Sequence, residues 1–234
     1  AWPQEKEGEK KKGKLGKFGD SITKDEDEDS NDGGGFSVFS IVDPLDVVEM
    51  LSHMKPGPYP YNPVTHTLRP DSALPGGTVR IHGAFFQHEP GLYGLEWRYD
   101  YQKRWFYFTF ELVNLLEDLG DRTDRLDFTS ARAGYTFLQR DQYSFTGELG
   151  FRSMLTDRSV SGPEVGLKFT AFPGAPLVLE AAGTLALLNE RAVSTFRADL
   201  GVMIWRVEVL VGGQLFRSPS ITIDGWKAGL RFWL

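Results

Sequence analysis

At 234 residues, with a net charge of −6 and no cysteine, the chain has room for one or two domains. It offers neither a disulfide framework nor a thiolate metal site, and its charge balance argues against nucleic acid. No run of about 18 apolar residues exists, so no transmembrane helix can be drawn; the mean hydropathy of −0.30 still permits a β-barrel, whose strands need one apolar face each.

The chain opens Ala1-Trp2-Pro3, as a processed N-terminus would and as any other cut would. Residues 1–35 read as a disordered charged arm: Lys10-Lys11-Lys12-Gly13-Lys14, then Asp25-Glu26-Asp27-Glu28-Asp29, then Gly33-Gly34-Gly35. Such composition cannot bury enough apolar surface to offset the entropy of ordering. Glu5, Glu7 and Glu9 flank the lysines, so the basic cluster reads as a solvated tail. Asp25, Asp27, Asp29, Asn31 and Asp32 alternate as in a calcium loop but lack its turn glycine and distal glutamate, so no metal is expected there.

Residues 36–77 change character. An apolar run from Phe36 through Phe39 to Val42 leads into Asp43-Pro44, a cap and first-turn pair. Leu45, Val48, Leu51 and Met54 recur at helical spacing, which predicts a short amphipathic helix over 44–54. Pro56, Pro58, Pro60 and Pro63 then impose an extended stretch through Tyr59 and Tyr61. This segment is expected at the periplasmic side or rim of whatever follows. Phe36, Phe39, Leu45, Val48, Leu51, Tyr59 and Tyr61 are its candidates for docking a partner.

From residue 78 the period becomes two. Tyr143, Phe145, Gly147, Leu149 and Phe151 oppose Ser144, Thr146, Glu148, Gly150 and Arg152; Trp226, Ala228, Leu230, Phe232 and Leu234 oppose Lys227, Gly229, Arg231 and Trp233. Ten strands are expected near 78–88, 92–101, 104–114, 126–138, 142–154, 163–172, 177–188, 194–204, 206–217 and 222–234, each long enough to cross a bilayer when tilted. The fold class is an all-β, antiparallel, up-and-down transmembrane barrel of about ten strands spanning 78–234, with a short N-terminal helix and a disordered arm.

Alternation does not say which face meets water, but three features choose the membrane reading. The polar face is made of small residues with charges of both signs: Glu96, Arg98, Glu111, Arg132, Glu148, Arg152, Glu164, Lys168, Glu180, Arg197, Asp199, Glu208, Lys227 and Arg231. That composition suits a narrow lumen in which side chains interdigitate and pair. Trp97, Trp105, Tyr107, Tyr143, Trp205, Trp226 and Trp233 fall near strand ends, where amphipathic rings favour the headgroup zone. Connections alternate between tight turns and longer loops (115–125, 155–162, 189–193, 218–221), as barrels with short periplasmic turns and both termini inside require.

The segment Gly225-Trp226-Lys227-Ala228-Gly229-Leu230-Arg231-Phe232-Trp233-Leu234 resembles the terminal strand of bacterial outer-membrane β-barrel proteins. Phe232 matches the aromatic third from the end, while Leu234 departs from the usual terminal Phe. The resemblance implies insertion by the barrel-assembly machinery and residence in the outer membrane, with N- and C-termini periplasmic. As a motif it covers only this strand.

Catalytic and metal chemistry find little to stand on, and no cofactor is expected. Of His53, His66, His82 and His88, only His88 lies near an outer loop, beside Glu89. His82 and His88 share a face but sit too far apart to chelate one ion unaided. The expected function is a non-enzymatic barrel subunit, a structural protein of a complex, that anchors or docks another envelope component through 36–77. A small channel or transporter is the alternative; an outer-membrane enzyme and a soluble lipid-binding barrel rank below it.

Overall fold

The computed structural model describes residues 12–23, 78–103, 105–140, 142–156 and 159–234. Side chains two apart on an extended chain share a face, so a segment apolar on one face and charged on the other needs a sheet with two different environments. Ten such segments form it. β1 (Thr78–Gln87), β2 (Leu92–Lys103), β3 (Phe106–Asp118), β4 (Thr123–Gln139) and β5 (Tyr143–Leu155) are followed by β6 (Ser159–Gly174), β7 (Leu177–Leu188), β8 (Arg191–Ile204), β9 (Val207–Arg217) and β10 (Thr222–Trp233). Every consecutive pair is antiparallel, and β1 pairs with β10 to close the barrel. Closure leaves no sheet edge unpaired, a condition of life in hydrocarbon.

The registers fix its girth. A row starting at Leu177 runs through Val202, Val209, Leu230, Gly83, Trp97, Leu112, Thr129, Ser153 and Ser161. Continuing the Glu164↔Ala186 register, it re-enters β7 at Asn189, twelve residues from where it began. With ten strands this stagger corresponds to a tilt of about 40° and a wall radius of about 10 Å.

The faces are inside out relative to a soluble protein. Leu149, Phe151, Leu167, Phe196, Leu200, Ile204 and Phe232 point outward and are exposed, while arginines, lysines, aspartates and glutamates are buried inside. On β7 the outward apolar positions run from Leu177 to Leu187, a height of roughly 25 Å at this tilt, which matches the apolar band of a spanning barrel. This is the architecture of small outer-membrane barrels. Trp97, Trp105, Tyr143, Trp205 and Trp226 lie on the outer surface, whereas Tyr107 and Trp233 are buried. Strand parity turns the latter two into the lumen, away from the headgroup zone assigned to them.

The strands run longer than expected at one mouth. β3 continues to Asp118 and β4 starts at Thr123, so the expected long connection 115–125 shrinks to residues 119–122. Polar residues there belong to strands rising above the apolar belt, not to loops. Asn189 and Glu190, with φ of 48° and 61°, make a two-residue hairpin turn in place of 189–193. Connections are therefore short at both mouths, and loop length does not distinguish them. The mouth carrying residues 88–91, 119–122, 156, 189–190 and 218–221 is called here the loop mouth; the other, with Thr78 and Leu234, the turn mouth.

One helix, α1 (Lys14–Thr23), precedes the barrel, where the sequence reading expects only a disordered arm. Its cause is local: Leu15, Phe18 and Ile22 line one stripe and are buried, spaced to share a helical face. A stripe of three apolar residues hides easily among so many lysines and aspartates. The expected helix at 44–54, the extended stretch after it and all seven docking candidates from Phe36 to Tyr61 lie outside the described residues.

Candidate functional site: the lumen and its helical plug

Seventeen of the buried polar residues are ionisable lumen groups. They include all fourteen charged positions read from the strand alternation, together with Arg80, His82 and Asp100. The last three share the parity of Glu96 and Arg98, Asp100 along β2 and Arg80 and His82 across the β1–β2 register, so applying the alternation to the whole of the two expected strands would have found them. Eight are Arg or Lys and eight are Asp or Glu, so the set is neutral apart from His82.

The pairing is dense and crosses the lumen. Arg98 on β2 reaches Glu180 on β7 at 2.8 Å, and Arg197 on β8 reaches Glu111 on β3 at 3.1 Å. In a closed ring of ten strands, five apart is diametrically opposite, so each of these pairs bars the bore. Arg132 binds Glu111, Glu148 and Glu164 at 2.6, 2.8 and 3.2 Å. Arg231 contacts both oxygens of Glu208 at 3.1 Å, and the indole of Trp233 donates to the same carboxylate at 2.9 Å. Lys227 sits between Glu96 at 3.1 Å and Asp199 at 3.2 Å. Arg152 pairs with Glu164 at 2.7 Å. Glu180 is the hub: Arg80, Arg98, Lys168, Arg197 and Arg231 all lie within 3.9 Å. Buried charges persist only when paired, and this network sets each against an opposite charge from strands on every side of the ring, while some atoms, both Asp199 oxygens among them, make ion-pair contacts outside hydrogen-bond geometry.

Above the charged layer, towards the loop mouth, the lumen turns apolar. Phe86, Leu115, Leu126, Phe128, Met154, Leu188, Val193 and Phe216 form one buried cluster with Leu15, Phe18 and Ile22 of α1. Phe18 meets Phe128 edge-on at 6.0 Å, and Phe128 stacks on Phe216 at 5.5 Å. Gly19 lets the helix approach closely, since a Cβ there would stand 3.0 Å from Thr156 Cγ2.

Both ends of α1 are capped by the barrel. The Glu117 carboxylate accepts the backbone N–H of Lys14 at 2.9 Å and of Leu15 at 2.7 Å. At the other end the Arg191 guanidinium donates to Ser21 O, and the Asn189 amide donates to Ile22 O at 3.2 Å. An anion at the helix N-terminus and a cation at its C-terminus both favour the helix dipole. At the rim Lys14 reaches Glu89 at 3.0 Å and His88 Nε2 at 2.5 Å. The hydrogen bond and charge of Lys14 hold the Glu89 carboxyl below the usual glutamate range. The one histidine near a loop, with its neighbouring glutamate, is thus engaged in seating the helix.

The terminal-strand residues Phe232 and Leu234 lie at the turn mouth, with Phe232 facing outward and Leu234 bonded to Val79 by reciprocal backbone hydrogen bonds. α1 occupies the opposite mouth. The sequence reading expects the N-terminal arm on the side of Leu234; residues 12–23 lie at the other mouth, and residues 1–11 are outside the described residues. At the loop mouth the apolar stripe of α1 meets the apolar ring of barrel side chains described above. Among the described residues no cluster of histidine, aspartate and glutamate could hold a metal ion, and no helix is long and apolar enough to cross a membrane.

No family model matches the chain, and no curated protein does. Among solved structures it is similar to Ail, the attachment invasion locus protein of Yersinia pestis, at 11% identity and a TM-score of 0.32, over 68% of this chain and 97% of that one.

Proposed function

We propose that this chain is a non-enzymatic outer-membrane subunit whose barrel anchors another envelope component. The observation that carries the reading is the barred lumen: ion pairs join opposite walls at 2.8 and 3.1 Å, and α1 fills the loop mouth above them. A barrel barred in this way offers a solute no open bore past those pairs, which supports a role other than transport. Its use then lies in holding something at the membrane. The candidates for that contact are the partner-docking residues in 36–77, with the turn mouth and its Leu234 on the periplasmic side. Insertion by the barrel-assembly machinery accords with the terminal strand, in which Phe232 and Leu234 occupy the outward row with Trp226 and Leu230.

Planar-bilayer recording tests the exclusion of transport: neither the whole chain nor a chain lacking residues 1–23 should conduct. Deleting 36–77 should leave a heat-modifiable barrel that no longer comigrates with its partner on a native gel. Stepwise conductance would favour the channel reading instead. Extraction as a monomer, with no associated chain under mild detergent, would remove the anchoring role.

A further inference from the structure

The seat of α1 has a consequence for the topology of the whole chain, one that rests on the membrane reading. Thr23 ends the helix at the loop mouth, where Arg191 and Asn189 hold its last carbonyls. Thr78 begins β1 at the other mouth, where Val79 exchanges backbone hydrogen bonds with Leu234. We infer that α1 and the C-terminus lie on opposite sides of the membrane, so that the chain carries its own N-terminal helix across and seats it as the plug of the loop mouth.

Three observations bear on this. The first is specificity of the seat. Its contacts combine an apolar face with a carboxylate at the helix start and a guanidinium at its end, a combination that fixes which way the helix points. The second is reach. Residues 24–77 number 54 and extend to well over 100 Å at about 3.3 Å each, against a wall of roughly 25 Å. The third is the closed bore. The pairs Arg98–Glu180 and Arg197–Glu111 each join opposite walls, so in the folded barrel the lumen offers this connection no passage. Lys12, Lys14 and Lys17 are then presented at the loop face, opposite the compartment that holds Leu234.

The absence of cysteine makes the test direct. Single variants Lys17→Cys on α1, Asp121→Cys at the loop mouth and Gln142→Cys at the turn mouth are all at exposed positions. Intact cells are treated with a membrane-impermeant maleimide, with and without permeabilisation of the outer membrane. Lys17→Cys should label together with Asp121→Cys and apart from Gln142→Cys. A second measurement reads the seat itself. A Cβ built on Gly19 stands 3.6 Å from Thr156 Cβ, within the span of a disulfide. The double variant Gly19→Cys, Thr156→Cys should therefore oxidise to an intramolecular bond in native membranes, seen as loss of both free thiols. Labelling of Lys17→Cys with Gln142→Cys, or free thiols persisting in the double variant, would overturn the inference while leaving the barrel reading intact. Equal labelling of all three without permeabilisation would remove the membrane reading and the inference with it.

Discussion

Phe18→Ala tests whether α1 is held by its apolar stripe. Phe18 is fully buried and meets Phe128 edge-on at 6.0 Å. Truncating a buried Phe costs about 3–5 kcal/mol, because the cavity refills only in part. The barrel side of the cluster keeps its own packing, Phe128 on Phe216 at 5.5 Å, so the loss falls on the docked helix. At the lower bound the ratio of seated to unseated α1 falls about 150-fold. Trypsin reads that ratio. Cleavage after Lys17 requires the helix to leave its seat and unwind, and when reclosing outpaces cleavage the rate follows the open population. Cleavage at Lys17 in the folded protein in detergent should thus accelerate by two orders of magnitude or more, with the barrel still heat-modifiable. An unchanged rate would refute the reasoning, since it would mean that the seat does not depend on the ring it buries.

Removing the anion at the hub should be worse than removing one of its cations. Glu180→Gln leaves five cations facing one another around a neutral side chain and should lower urea stability by at least about 3–5 kcal/mol. Arg98→Met leaves Glu180 four cations and should cost less; tryptophan fluorescence during urea unfolding ranks the two. Gly212→Ala should destabilise, because its Cβ would strike the backbone oxygen of Ala198, whereas Gly174→Ala meets nothing within 4 Å and should be neutral. Glu89 should titrate below the ordinary glutamate value of 4.5 because Lys14 holds its carboxylate. Its support of α1 is therefore complete above that value and is lost as pH falls through the lowered one. Side-chain carbon NMR should show the displacement in the native protein and its disappearance in Lys14→Met.

Strand count, strand phase and the fourteen lumen charges were legible because period-two alternation is a local property, and a closed barrel converts it directly into inside and outside. Strand ends were less so: Glu117, Asp118, Thr123 and Arg125 look like loop residues, and only pairing across β3 and β4 reveals them as strand. Which charge meets which was not legible at all. Arg98 and Glu180 are 82 residues apart, and their meeting follows from ring closure and stagger. α1 escaped notice for the opposite reason. Ten residues with three large buried apolar side chains make a weak signal alone, and the partner that gives them meaning is assembled from distant strands.

The numerical balance of cations and anions inside the wall bears on how ionic strength acts on this molecule. An interior with eight of each sign recruits no counterions from bulk, and its pairs are too enclosed for mobile ions to screen. The Lys14–Glu89 contact stands in water, with Glu89 61% exposed, and weakens as the Debye length shrinks from about 10 Å at 0.1 M to about 3 Å at 1 M. Salt therefore acts on the two parts unequally, easing the plug at its rim while leaving the wall as firm as before.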